Sequence, residues 1–121
     1  MIVLQPHCRS CVESALRRMP GREYCAFVLE GEHGMQEIFQ VLNVDGLRGC
    51  FQVPCSELAR VEAHAQRHRI TIGAFIHSHH SGVHLSAADV RSRARCSYPW
   101  IVVHAGPRRF MYKSYPARAQ D

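Results

Sequence analysis

The feature that most constrains the fold of this 121-residue chain is an apolar segment that leads directly into two histidines. Residues 70–76 have the length and composition of a buried β-strand. His77 and His79 follow at once. Because side chains two residues apart on a strand point to the same side, both imidazoles should face one point. The pattern predicts two aligned metal ligands at the end of a strand.

A serine and an aspartate follow at the spacing of a helix start. Residues 86–89 read SAAD, and this pattern is typical of a helix N-terminus, where a hydroxyl caps a free amide and an acidic group suits the helix dipole. The aspartate would also complete a three-residue zinc site and leave the fourth position to water. Capping alone would explain Ser86 and Asp89, but their combination with the two histidines favours a zinc site of His77, His79 and Asp89. Ser86 can serve both roles.

These residues resemble the signature of the JAMM (MPN-plus, or JAB-domain) zinc metalloproteases. In that signature, HxH and SxxD provide two histidine ligands, a polarising serine and an aspartate ligand. The family also has an upstream glutamate at the start of a strand, in a context similar to Pro-x-Glu-x-x-Gly. Residues 20–26 (PGREYCA) resemble this context and place Glu23 at the glutamate. The order of the surrounding elements matches over nearly the whole chain.

Three features depart from the family pattern. Ala26 stands where the family usually has glycine, His80 stands where it usually has proline, and the loop from His79 to Ser86 is one residue shorter than in many members. None of them removes a catalytic group. The resemblance implies a zinc-dependent peptidase or isopeptidase with a cytidine-deaminase-like α/β architecture. In it, Glu23 would move a proton and Ser86 would hydrogen-bond the developing oxyanion.

The hydrophobic pattern predicts the elements around these motifs. We expect three helices, at residues 10–19, 56–68 and 86–95, with Ser56 capping the second. We expect strands at residues 24–29, 37–44, 70–76, 100–104 and 110–115, with a further short strand at 51–53. The order α, β-meander, α, β, α, β, β predicts an α/β fold in which helices flank one mixed β-sheet. No linker or repeat divides residues 1–121, so we expect a single domain.

The apolar runs and the cysteines bear on the cellular compartment. The apolar runs are far shorter than the roughly 18 residues that span a bilayer, and the first residues lack the pattern of a signal peptide. We therefore expect a cytoplasmic protein with no membrane segment, whose six cysteines are reduced. Cys8 and Cys11 form a CxxC without a second pair to complete a zinc site, and we expect Cys8 just before the first helix.

The net charge of +5 would suit an acidic partner. No DNA-reading motif or aromatic platform accompanies the arginines, so a solvated basic face is favoured and nucleic acid is not the expected partner. Compact relatives in the resembled family process the C-terminal Gly-Gly of ubiquitin-like sulfur carriers, which implies a β-grasp carrier protein as partner. Two alternatives stay open, a catalytically silent MPN scaffold and a nucleic-acid-associated JAMM domain. The roles of His80 and His84 and the oligomeric state also stay open.

Overall fold

A computed structural model describes residues 2–19, 23–43, 53–94 and 96–117. Its helices and strands are, in chain order, α1 (Pro6–Arg18), β1 (Cys25–Glu30), β2 (Gln36–Val41), α2 (Cys55–His68), β3 (Thr71–His79), α3 (Ala87–Arg93), β4 (Trp100–Ala105) and β5 (Phe110–Tyr115). A 3-10 turn, Glu32–Gly34, joins β1 to β2. This succession confirms the predicted order of elements. None of the helices in these ranges is long and apolar enough to cross a membrane.

The five strands form one mixed sheet in the order β2-β1-β3-β4-β5. The central strand β3 pairs antiparallel with β1 and parallel with β4. Cys25, the first residue of β1, pairs with His77 near the end of β3. The end of β3 and the start of β1 therefore lie at the same edge of the sheet. The connection from β3 to β4 contains α3 and leaves from this edge.

An apolar layer on each face of the sheet holds the helices in place. The buried residues of α1 on one face include Cys8, Val12 and Ala15. On the other face, Val61 of α2 packs in a cluster that includes Phe75 and Trp100. Because side chains alternate along β3, Ile76 faces the α1 layer and Phe75 faces the α2 layer. The helices thus flank the sheet on both sides, which confirms the mixed α/β prediction.

The start of α1 differs from the prediction. The helix begins at Pro6 rather than at residue 10, because the fixed φ of proline suits the first turn of a helix and its missing N–H is not needed there. Cys8 and Cys11 therefore both lie within α1, and the expectation that Cys8 precedes the helix was wrong. Cys8 is buried against the sheet, whereas Cys11 is exposed.

Several other boundaries differ as well. The N-cap of α2 is Pro54 and no side chain caps the helix, so Ser56 is not its cap and lies inside its first turn. Val53 is not in a strand, and the rest of the short strand expected at 51–53 lies outside the described residues. Residues 44 and 95, the predicted ends of a strand and of the third helix, also lie outside them.

Candidate metal centre

β3 carries both histidines to the edge of the sheet, as the strand alternation predicts. Their ring centroids are 4.8 Å apart. His77 is fully buried. Its ring stacks on Phe75, with centroids 5.8 Å apart, and meets Trp100 edge-on at 5.0 Å. The His79 side chain is 12% exposed. The apolar layer between α2 and the sheet therefore fixes the imidazole of His77, while the imidazole of His79 is partly open to solvent.

The first turn of α3 supplies a carboxylate to the same point. Asp89 Oδ2 lies 2.9 Å from Nε2 of His79, and Oδ1 lies 4.0 Å from Nε2 of His77. The N–H of Ser86 donates to Asp89 Oδ2 at 2.9 Å, and the N–H of Asp89 donates to Ser86 Oγ at 3.1 Å. This reciprocal capping box holds the carboxylate in one orientation. The predicted capping role of Ser86 and Asp89 is confirmed.

His77, His79 and Asp89 fit a metal ion. Each offers one ligand atom, and these atoms all lie within 4.8 Å of one another. Across the ranges that the structure describes, no other group of three or more His, Cys, Asp or Glu residues meets that spacing. Two imidazoles with one carboxylate are a donor set that leaves a coordination position open, as at catalytic zinc sites. The predicted residues thus form a cluster that can bind a metal ion.

Glu23 reaches this edge because β1 begins beside the end of β3. Ser78, between the two histidines, holds the start of β1: the N–H of Tyr24 donates to Ser78 Oγ at 2.7 Å, and the N–H of Ser78 donates to Tyr24 O at 3.0 Å. Glu23 is 6% exposed, and its Oε2 has no hydrogen-bond partner within the described parts of the chain. A buried carboxylate oxygen of this kind is costly unless it carries a proton or faces a cation. Residues 20–22, which precede Glu23 in the resembling motif, lie outside the described residues.

Burial and neighbouring charges set the protonation of the cluster. Burial raises the pKa of Glu23 to about 7, although the charge of His79 opposes this rise. Burial lowers the pKa of His77 to about 4, so near neutral pH its imidazole is neutral, as a metal ligand must be. Burial would raise the pKa of Asp89, but hydrogen bonds from His79 and Ser86 outweigh it and the pKa is lowered. Asp89 is therefore charged, and Glu23 can exchange a proton near neutral pH.

A cavity of about 320 Å³ opens over the cluster. It is lined by Glu23, His79, His80, Ser81, His84, Leu85, Ser86 and Asp89. The open question about His80 and His84 thus has a partial answer, since both line the wall of this cavity. Ser86 Oγ accepts from Asp89 and keeps its own hydrogen available for donation. A group in the cavity can therefore approach Glu23, Ser86 and the ligand set together.

Three supporting residues were missed in the sequence. Ser78 has a local signal, because the middle residue of HxH points away from the histidines. His104 and Tyr115 have none. His104 pairs with His79 across β3 and β4, and its Nδ1 lies 3.1 Å from the carbonyl oxygen of His79. The hydroxyl of Tyr115 donates to Val83 O at 2.7 Å and so supports the loop that walls the cavity.

Comparison with known proteins supports the fold. No protein-family model and no curated protein matches the chain. Among solved structures, it is similar to protein DSY2949 from Desulfitobacterium hafniense, whose structure was determined in solution. The TM-score is 0.81 and the identity is 19%, over 94% of this chain and 82% of the other. At this identity the similarity shows a shared fold and carries no information on function.

Proposed function

We propose that this protein is a zinc-dependent peptidase or isopeptidase of the JAMM type. One observation carries the proposal: a buried carboxylate, Glu23, lines the same cavity as a three-residue metal-ligand set. Hydrolysis of an amide needs a water nucleophile, a group that accepts and returns a proton, and a donor for the developing oxyanion. The residues of this cluster can fill each of these roles.

The chemistry divides between the metal and the chain. His77, His79 and Asp89 would hold a zinc ion, which would supply a water nucleophile near neutral pH and polarise the scissile carbonyl. Glu23 takes a proton from the attacking water and returns it to the leaving nitrogen. Its raised pKa suits this exchange, and a nearby divalent cation would lower that pKa and favour the charged, accepting form. Ser86 donates its hydroxyl hydrogen to the carbonyl oxygen as negative charge develops.

A silent scaffold would not need this arrangement. Keeping a glutamate buried with an unpartnered oxygen costs stability. The cost is understandable at a site where a carboxylate must exchange protons. Glu23 therefore favours an enzyme over an interaction module built on the same fold.

The substrate that we propose is a ubiquitin-like β-grasp carrier protein, or a conjugate of one, cleaved after its C-terminal Gly-Gly. Glycines suit a narrow approach to the cluster because they carry no side chain beside the scissile carbonyl. An extended tail of this kind can also pair with the backbone of a strand at the edge of the cavity. This substrate class rests on the family resemblance of residues 77–89 and on Glu23.

Mass spectrometry of a carrier fusion tests the proposal. The zinc-loaded protein should cleave an extended carrier immediately after the second glycine. A fusion with both glycines replaced by leucine should be cleaved much more slowly. Equal cleavage of the two fusions would reject the Gly-Gly specificity, and cleavage that persists after removal of the metal by a chelator would reject the metal-dependent mechanism.

A further inference from the structure

A second and larger cleft, of about 620 Å³, lies between α1 and the turn that joins β4 to β5. Its most distinctive lining residues are four arginines, Arg9, Arg17, Arg108 and Arg109. Two come from α1 and two from the turn, so residues about one hundred positions apart in the chain meet here. We name this surface the basic cleft. All four arginines are exposed.

The arginines of the basic cleft are not neutralised within the described part of the chain. None of the four forms an ion pair there with an aspartate or a glutamate. The carboxylate in the cleft, Glu13, accepts a hydrogen bond at 2.6 Å from the hydroxyl of Tyr112. Arg9, Glu13 and Arg17 follow at intervals of four on α1, so the two arginines share one face of the helix. Like charges held together repel one another and gain from an anion placed between them.

The surroundings of the basic cleft favour a polypeptide over a nucleic acid. An apolar cavity of about 200 Å³ adjoins it and shares Arg9 and Tyr112 with it. Ile2, Val3, Leu4 and Ile101 also line this cavity. Sites for single-stranded nucleic acid instead pair cationic side chains with free aromatic faces for base stacking. Here Phe110 is covered by the guanidinium of Arg17, which lies 5.0 Å from the ring centroid.

From the four exposed arginines and the adjoining apolar cavity, we propose that the basic cleft binds an acidic segment of a partner polypeptide. Apolar side chains of that segment would occupy the adjoining cavity. Carboxylates of the partner would pair with guanidinium groups, whose planar forks match them. This proposal goes beyond the hydrolase function and stands without it.

Shared lining residues connect the basic cleft to the cavity over the three-residue cluster. A further cavity, lined by Leu16, Met19, His79 and His80 among others, shares Ala105 with the basic cleft. The same cavity shares His79 and His80 with the cavity over the metal ligands. A partner held at the basic cleft could therefore extend a chain segment towards that cavity.

Fluorescence anisotropy with a labelled peptide of alternating glutamate and serine tests the proposal. The test variant is Arg109→Glu, and the matched control is Arg67→Glu, an equal change of charge at an exposed position on α2. Arg109→Gln is a second, milder variant that removes the positive charge and keeps a polar side chain. Thermal melts show whether each variant folds. Binding needs no hydrolysis, so the measurement is made with and without zinc and is independent of the proposed enzyme activity.

We expect the acidic peptide to bind, and binding to weaken as salt is raised. Arg109→Glu should weaken it about tenfold and Arg109→Gln about threefold, whereas Arg67→Glu should change it less than about twofold. Equal losses of affinity in Arg109→Glu and Arg67→Glu would overturn the proposal, because they would show that the peptide is attracted by the net charge of the protein alone. Equal binding of a glutamine–serine peptide would overturn it as well. Tighter, Arg109-dependent binding of a single-stranded DNA of equal charge would make the basic cleft a nucleic-acid site instead.

Discussion

Metal affinity should depend on pH through the protonation of one ligand, His79. Burial holds the pKa of His77 at about 4, so this imidazole carries no proton to displace near neutral pH. The hydrogen bond to Asp89 raises the pKa of His79 above its ordinary value, and the pKa of Asp89 is itself lowered. A metal ion must therefore displace a proton from His79 when the pH lies below the pKa of that residue.

Lowering the pH should accordingly weaken metal binding. The variant Glu23→Gln removes the second proton that a metal ion would displace, because a nearby cation lowers the pKa of Glu23. In this variant, the dissociation constant for zinc should rise about tenfold per pH unit below the pKa of His79, which is about 1.4 kcal/mol, and should be nearly flat above that pKa. Competition with a chromophoric chelator between about pH 8 and about pH 5.5 measures this profile. A slope of two protons in Glu23→Gln would show that burial does not keep His77 neutral. A flat profile would show that His79 is not a ligand. Either result would contradict the prediction that His79 is the one ligand that releases a proton when the metal binds.

Two substitutions, one in the cavity wall and one that supports the adjacent loop, give further predictions. Ser86→Ala removes the cap acceptor of α3 and the proposed oxyanion donor, so it should lower the free energy of unfolding by about 1 kcal/mol and slow hydrolysis about 100- to 1,000-fold. Denaturant unfolding and steady-state rates would show both effects, and an unchanged rate would remove Ser86 from the chemistry. Tyr115→Phe leaves Val83 O without its partner and should cost about 1 kcal/mol. Zinc content should be unchanged in Tyr115→Phe, and a loss of zinc would show that the loop also shapes the ligand set.

Local rules explain why the ligand set could be predicted from the sequence. The alternation of side chains along a strand is enough to align His77 with His79. The preference of serine and aspartate for a helix start is enough to place Asp89 in the first turn of α3. For Glu23, the sequence offered only the resemblance to a family motif. The pairing of β1 with β3, which brings Glu23 to the same edge, is a long-range contact that periodicity does not reveal.

Long-range contacts also account for what was missed. The sequence showed basic residues but not that Arg9 and Arg109 line one cleft, because the packing of α1 beside the turn between β4 and β5 decides this. The hydrogen bond between Tyr115 and Val83 joins positions 32 residues apart. The start of α1 was placed too late for a local reason, because the apolar pattern alone does not show that Pro6 is favoured in the first turn of a helix.

The variant Glu23→Gln tests most directly whether this site hydrolyses amides with Glu23 as the proton carrier. The substitution keeps the size of the side chain but removes its ability to take up a proton. The wild-type protein and the Glu23→Gln variant should each bind about one zinc ion per chain. The hydrolysis rate of the Gly-Gly carrier fusion should fall by about two to four orders of magnitude in Glu23→Gln, the usual contribution of a positioned general base. Cleavage by Glu23→Gln at the wild-type rate would contradict the mechanism, and loss of its zinc would make Glu23 a ligand instead.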